Sequence, residues 1–463
     1  MNTSQENKAL MILLLVAGLI LLAPYMIRIA SGNHFIIGPE SYKNIWLQHN
    51  SRITFYDSYE NRNVPINLLY IIPIHANTFS DTIFIIADII LGILTVLVAY
   101  AIMKKHNIGT RDIWAISILL ITSPIFLYVF TGVNTYSVVL LLSAIAFLAL
   151  ITDKIIWSII ISVLLPFINM YAAIIMFIFF IIYFVATNNH KKNPKQHKIF
   201  WILFSIAILI SILLNILLGY NPITHISIET SNIITDIGAN IGFSFSMLIL
   251  SLIGILLLLD RGLKNIIIYG VIFLMIIFSL FNEFIRIYLN FILVIFAGFA
   301  LLYLLKRKWS ISLIKKTTVL LIICSILFSS IFYITKLAKT GPDPEIVAGM
   351  EFIKKQPNDN STILASADNT YMIEYFSGHK ALIDPDTDDE SVQMHLFNNI
   401  TLSRNLEKTE ANLMNNNIRY IVIDEDFRNY LERQEGLLFL IENSNKFAKV
   451  YENNKMEIWM HIP

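Results

Sequence analysis

The chain has 463 residues, 56% hydrophobic and only 14% charged, with a formal net charge of +1. Soluble domains carry about a quarter charged residues, so a chain that is water-soluble throughout is excluded. With no surplus of positive charge, a nucleic-acid partner is not expected either. The charge is unevenly spread: residues 1–340 hold 23 Lys and Arg against 12 Asp and Glu, while residues 341–463 hold 11 against 21.

Residues 10–30 follow Lys8 as a long apolar run with no small-residue cleavage pattern behind it, and predict a retained signal-anchor helix. Further apolar runs occupy 81–103, 112–130, 134–151, 155–166, 167–187, 199–219, 239–260, 264–281, 284–305 and 313–334. Backbone amides in lipid must bond internally, so these runs predict helices. Pro166 and Asn169 interrupt the 155–187 stretch, which then reads as two short spans. Counting them separately puts Lys104, Lys105, Arg111, Lys154, Lys191, Lys192, Lys195, Lys198, Arg261, Lys264 and the 306–316 cations on one side of the bilayer. The opposing short loops carry no Lys or Arg. This positive-inside pattern predicts about eleven spans, with a cytoplasmic N-terminus and the region after the last span outside the cell membrane. Cys324, the single cysteine, sits in the last apolar run and reads as a buried small hydrophobe.

The predicted architecture is therefore a polytopic α-helical membrane protein with a small C-terminal α/β extracytoplasmic domain. Residues 1–340 form the membrane domain, including a long outer loop at 31–80, and residues 341–463 form the soluble domain. The boundary at Thr340-Gly341-Pro342-Asp343-Pro344 is a helix-breaking sequence. Beyond it, segments 363–365, 381–383, 419–423 and 458–460 are short and rich in β-formers. Residues 447–451 and 455–460 flank Glu452-Asn453-Asn454 as a predicted hairpin, while 344–355 and 403–415 show helical spacing. The acidic run 384–390 lacks the Gly and terminal Glu of a calcium loop and reads as a solvated segment. Asn360-Ser361-Thr362 and Asn399-Ile400-Thr401 match the glycosylation acceptor triplet.

The polar residues that stand out lie near the outer face. Glu40 follows Gly38-Pro39 just after the first helix, with Asp57 and Glu60 in the same loop. A carboxylate there can deprotonate an acceptor hydroxyl, since a partly dry site raises its pKa toward neutrality. It can also hold a divalent cation, Mg or Mn, that neutralises a phosphate leaving group; Asp57 is the candidate metal ligand. His75 lies before the second span, where it can bind phosphate or orient a donor, and Asp81 is placed to cap that span. Asp88 lies about two turns inside it and must face protein interior or water. Asp236, with Glu229, precedes the 239–260 run and reads either as a cleft residue or as a helix cap. Glu283 and Arg286 stand at i,i+3 at the start of 284–305. The Arg fork suits a lipid phosphate; the alternative is a Glu–Arg pair.

Together these features resemble the GT-C superfamily of multi-span membrane glycosyltransferases, especially archaeal-type relatives of the oligosaccharyltransferase catalytic subunit. The resemblance rests on Gly38-Pro39-Glu40-Ser41-Tyr42, Ser123-Pro124 through Asn134, Asp236-Ile237-Gly238 and Arg286-Ile287-Tyr288-Leu289-Asn290. In the C-terminal domain it rests on Ser366-Ala367-Asp368-Asn369, Tyr375-Phe376-Ser377-Gly378-His379-Lys380 and Ile383-Asp384-Pro385. It implies inverting transfer of a sugar from a polyprenyl-phosphate- or diphosphate-linked donor on the outer face. Glu40 then stands at the place of the first-loop catalytic acid, and Arg286 faces the lipid phosphate. The family's Trp-Trp-Asp acceptor motif is absent: Ser366-Ala367-Asp368 occupies the matching stretch. That argues against transfer to Asn-X-Ser/Thr and leaves a protein, glycan or lipid acceptor open. Two rival readings use the same features: a transporter or flippase of a lipid-linked saccharide, and a non-catalytic membrane assembly protein.

Overall fold

The computed structural model describes residues 3–38, 41–42, 45, 56–57, 62–63, 81–187, 194–217, 233–259, 266–356, 361–383, 392–434 and 436–462. These fall into two compact units: residues 1–28 with 47–339, and residues 29–46 with 340–463.

The first unit is helical: α1 Thr3–Ala30, α2 Asp81–Lys105, α3 Thr110–Ile121, α4 Pro124–Thr131, α5 Thr135–Ile151, α6 Ile155–Ile168, α7 Met170–Thr187, α8 Pro194–Leu217, α9 Phe245–Leu259, α10 Ile266–Phe278, α11 Glu283–Lys306 and α12 Ser312–Lys339. A two-residue ribbon, β1 Tyr56–Asp57 against β2 Arg62–Asn63, lies between α1 and α2. The eleven-span expectation is corrected. Among the described residues five helices are long and apolar enough to cross a membrane, or six if α3 and α4, bent by 64° across their break, count as one span. The remaining apolar helices have described stretches of only 10–17 residues.

Capping sets where several of these helices begin and end. Hydropathy runs on through positions where a polar side chain ends a helix. Ser123 divides the 112–130 run, its hydroxyl accepting from Phe126 N at 3.3 Å with Pro124 at the first helical position. Asn169 divides the 155–187 run between α6 and α7, where its side-chain oxygen accepts from Ala172 N at 2.9 Å. Asn134 starts α5 in the same way, accepting from Ser137 N at 3.2 Å. Cys324, expected in the interior, is exposed on α12, where a span offers an apolar face to its surroundings.

Glycine sets the closest helix approaches. A Cβ on Gly254 of α9 would stand 2.1 Å from the Phe296 carbonyl oxygen of α11, and one on Gly298 would stand 2.4 Å from Ile116 of α3. Because the obstruction at Gly254 is backbone, Gly254→Val is expected to cost about 3 kcal/mol or more. The measurement is a lowered unfolding midpoint of the detergent-solubilised protein. An unchanged midpoint would mean that α9 and α11 do not meet this closely.

The second unit is a mixed sheet with helices on both faces. Its elements are α13 Pro344–Lys354, β3 Thr362–Leu364, α14 Thr370–Ser377, β4 Lys380–Ala381, α15 Val392–Thr401, α16 Leu406–Asn415, β5 Ile418–Asp424, α17 Glu425–Gln434, α18 Leu437–Asn443, β6 Phe447–Glu452 and β7 Met456–His461. Strand order is β4-β3-β5-β7-β6. β4, β3 and β5 are parallel, and β7 pairs antiparallel with β5 and β6. β5 is the central strand and is apolar toward both faces. Its Ile421 and Ile423 pack with Phe397, Ile400, Leu413, Phe427, Leu431 and Ile441. Tyr420 and Val422 pack on the other side with Met350, Ile353, Ile373 and Ile458. The expected hairpin is β6–β7, its turn held by Asn453, whose side chain accepts from Lys455 N and Met456 N, both at 3.0 Å. The acceptor triplet at Asn399 ends α15, with the buried Thr401 hydroxyl donating to Phe397 O at 2.9 Å, so that hydroxyl is internal to the fold.

His461 closes β7 as a buried imidazole, its Nε2 without a hydrogen-bond partner among the described residues and 3.9 Å from Glu410 Oε1. Burial pushes its pKa below the ordinary histidine value; Glu410 pulls it up and Lys446 pushes it down again. Below about pH 6.5 the unfolded chain then takes up a proton that the native unit refuses. Stability from this group is therefore expected to fall as pH drops through the window beneath that value. Denaturant unfolding between pH 7.5 and 5.5 reads this, and His461→Gln should flatten the slope. An equal slope in that variant would rule His461 out.

Candidate functional site

The polar side chains of the helical unit meet around the segment 233–244, just before α9. A three-residue 3₁₀ turn, Thr235–Ile237, ends at Gly238 with φ 118°, a left-handed conformation that glycine adopts without strain. Thr235 N then donates to Phe243 O at 3.1 Å, folding the segment back on itself. Asp236 ties the segment to α9 and α12: one carboxylate oxygen accepts from Phe245 N at 2.7 Å and the other from Ser329 Oγ at 2.5 Å. The first bond caps α9, which is the capping alternative read from the sequence.

Arg286 holds the same segment from α11. Its side chain is 3% exposed. Nε donates to Ser279 O at 2.6 Å, Nη1 to Ile241 O at 3.2 Å and Nη2 to Leu280 O at 3.5 Å. The guanidinium thus joins the α10–α11 turn to segment 233–244. Among the described residues its partners are these carbonyls, and the alternative Glu283–Arg286 pair is not formed. Glu283 instead accepts from the Tyr136 hydroxyl of α5 at 3.1 Å.

Helix α12 contributes residues that sequence reasoning missed. Besides Ser329, the Tyr333 hydroxyl donates to Asn240 O. The Lys336 ammonium donates to Gly238 O at 2.7 Å and Ala239 O at 2.8 Å. Ser329, Tyr333 and Lys336 recur at four- and three-residue spacing, one face of a helix, and this polar stripe on an apolar span was the signal available. A second polar layer lies within the bundle. Ser137 Oγ donates to Asp88 Oδ1 at 2.9 Å, Asn290 Nδ2 to Ser123 Oγ at 3.0 Å, and the Ser143 and Tyr288 hydroxyls lie 2.6 Å apart. The buried Asp88 is thus hydrogen-bonded across α2 and α5.

Of the six site residues read from the sequence, Asp236, Glu283 and Arg286 come to segment 233–244 and the start of α11. Glu40 and His75 lie outside the described residues, as do Glu60, Glu229 and the acidic run 384–390. Asp57 falls in β1 and Asp81 begins α2, but their side chains are not among those described. The residues flanking Glu40 belong to the second unit. No group of three or more His, Cys, Asp or Glu side chains gathers among the described residues.

No protein-family model matches the sequence, and no curated protein does. Solved structures do. The apo oligosaccharyltransferase of Archaeoglobus fulgidus superposes with a TM-score of 0.64 at 12% identity, over 93% of this chain and 72% of that one. The same enzyme tethered to an acceptor peptide containing the NVT sequon gives 0.58 at 11% identity, over 98% and 74%. Its complex with an inhibitory peptide and a dolichol-phosphate gives 0.55 at 11% identity, over 97% and 74%. A complex of that enzyme with Zn and sulfate is also similar, with a TM-score of 0.52. The chain therefore has the fold of an archaeal oligosaccharyltransferase, a polytopic helical part followed by a small mixed α/β domain, at very low sequence identity.

Proposed function

We propose that this chain is a membrane glycosyltransferase that moves a sugar from a polyprenyl-phosphate-type donor to an acceptor on the outer face, with inversion. The observation that carries this reading is the fold likeness over 93% of the chain to an oligosaccharyltransferase, an enzyme also solved with a dolichol-phosphate and with an acceptor peptide. The charge pattern of the loops supports the orientation, with the N-terminus cytoplasmic and the α/β domain outside.

In this reading the isoprenoid tail lies in lipid and the sugar phosphate at the outer interface. Glu40 takes the proton from the acceptor hydroxyl. That oxygen attacks the anomeric carbon from the face opposite the phosphate, the C–O bond to phosphate breaks, and the polyprenyl phosphate leaves with the bonding electrons. Asp57 is the second carboxylate, and His75, Asp236, Glu283 and Arg286 border the donor. Fixed charge around the leaving phosphate supplies much of the rate enhancement. A divalent cation would supply charge neutralisation at that phosphate. Asp57, whose side chain is not among those described, is the ligand we assign to such a cation; no group of three or more His, Cys, Asp or Glu gathers among the described residues. The missing Trp-Trp-Asp motif favours an acceptor other than the Asn-X-Ser/Thr triplet, and transfer of a single sugar.

The test is transfer from a labelled polyprenyl-phosphate monosaccharide by purified protein in lipid nanodiscs, offered peptide, glycan and lipid acceptors in turn. Label is expected to reach one acceptor class with inverted anomeric configuration and equimolar release of polyprenyl phosphate. Movement of intact donor across a vesicle bilayer without such release would overturn the proposal in favour of a flippase.

A further inference from the structure

Three helices of the first unit begin alike. In Asn134-Thr135-Tyr136, Asn169-Met170-Tyr171 and Asn282-Glu283-Phe284 an asparagine is followed two residues later by an aromatic ring. Each asparagine is a cap. Its side-chain oxygen accepts from the backbone N–H three residues on: Ser137 at 3.2 Å, Ala172 at 2.9 Å and Ile285 at 3.3 Å. A cap fixes where a helix starts, and so the direction in which its first turn sends side chains.

The three starts converge. The Phe284 ring centroid lies 4.6 Å from that of Tyr136, edge-on, and 6.1 Å from that of Tyr171, stacked. Tyr128 of α4 extends the row, 6.4 Å from Tyr136. The Tyr136 hydroxyl donates to Glu283 Oε2 at 3.1 Å and so brings a carboxylate to the rings. All five residues are partly buried, whereas Phe126 and Phe130, on either side of Tyr128 in α4, are 1% and 0% exposed. The turns 131–134, 168–170 and 279–282, which precede α5, α7 and α11, contain no Lys or Arg. That is the side on which the transferase reading puts the sugar.

Membrane proteins place tyrosines singly at the interface as a belt. A carboxylate does not belong in such a belt, because charge beside hydrocarbon is costly. Rings from four helices gathered on one acidic group have the chemistry of carbohydrate recognition. The apolar C–H face of a pyranose lies on a ring, and a carboxylate, an acceptor only, takes hydrogen bonds from sugar hydroxyls. A carboxylate can accept about four such bonds, so the one from Tyr136 does not exhaust it.

We infer that Tyr128, Tyr136, Tyr171, Phe284 and Glu283 form the subsite for the sugar ring of the donor, and that Glu283 selects a neutral hexose by accepting from its hydroxyls. The inference rests on the transferase reading above, which supplies the lipid-linked sugar as ligand. A site built to accept from a substrate hydroxyl discriminates against its absence, because the acceptor is then left desolvated without a donor.

The experiment measures binding by the full chain in lipid nanodiscs and does not need turnover. The probes are farnesyl phosphate and farnesyl-phosphoryl glucose, galactose and mannose. Wild-type protein is expected to bind at least one sugar probe about tenfold tighter than farnesyl phosphate. Phe284→Leu keeps apolar bulk and removes the ring. Glu283→Gln replaces one carboxylate oxygen by an amide group at the same size. Each should cut that preference by about fivefold or more, with the affinity for farnesyl phosphate staying within twofold. If one variant does not accumulate as folded protein, the other reads the same ratio. No sugar preference in wild type, or a preference that the variants retain, overturns the inference; a lipid-facing aromatic belt gives the second result. Labelled-sugar transfer separates the two failures. Transfer by wild type with the preference intact in the variants removes the subsite alone. A preference lost in the variants, without any transfer by wild type, removes the transferase reading and keeps the sugar-binding subsite.

Discussion

Glu40→Gln is expected to lower sugar transfer by about 10²- to 10⁴-fold, the usual contribution of a positioned acid or base. Glutamine keeps the side chain's size and its hydrogen-bonding oxygen but cannot take the acceptor's proton. Donor binding depends on the tail and phosphate, so the donor KM should stay within about threefold while kcat collapses. The pH dependence follows with a definite sign. The wild-type rate rises with pH as the carboxyl ionises, and that rising limb disappears in the variant. Initial rates of labelled-sugar transfer across a pH series measure both effects. A rate within threefold of wild type would remove Glu40 from the base role and leave Asp57 as the carboxylate to test.

Arg286 provides the second large effect. Its buried guanidinium donates to the carbonyls of Ser279, Leu280 and Ile241. Arg286→Met strips two buried acceptors and one part-buried acceptor of their partner at once. Since a hydrogen bond to a charged group contributes about 1.5–3 kcal/mol, the expected loss is about 3 kcal/mol or more, seen as a lowered unfolding midpoint in detergent. Arg286→Lys separates anchoring from phosphate binding. One ammonium cannot reproduce a planar fork aimed at three carbonyls, so the anchoring role predicts that lysine loses most of the stability too. A lysine variant with normal stability and a raised donor KM would instead assign Arg286 to the lipid phosphate.

Much of the fold was legible in the residues. The Gly-Pro break at 341–344 begins a domain whose β5 and β6–β7 hairpin fall within two residues of the expected segments, because short β-branched runs between polar turns have few alternatives. The membrane helices were legible in composition and not in their ends. Ser123 with Pro124 divides the 112–130 run through a single side-chain bond, which an average over apolar residues does not register, whereas the break at Pro166 and Asn169 was in view. The polar groups divide in the same way. Asp236 was readable as a cap because capping is local. Arg286 invited a pairing with Glu283 by spacing alone, yet Glu283 meets Tyr136 of α5 and Arg286 meets carbonyls of a turn and of segment 233–244. Lys336, Tyr333 and Ser329 passed unremarked although their helical spacing was in view.

The sequence alone determined that this chain is a helical membrane protein ending in an acidic α/β domain, since hydropathy, charge asymmetry and strand pattern are sums over neighbouring residues. Only tertiary structure decided that residues 29–46 belong with residues 340–463, and that α11 and α12 converge on segment 233–244. Those outcomes depend on pairs such as Tyr42 with Phe376 and Arg286 with Ile241, far apart along the chain. Which distant carbonyl or ring a side chain meets is set by how helices and strands pack, and no local pattern encodes it.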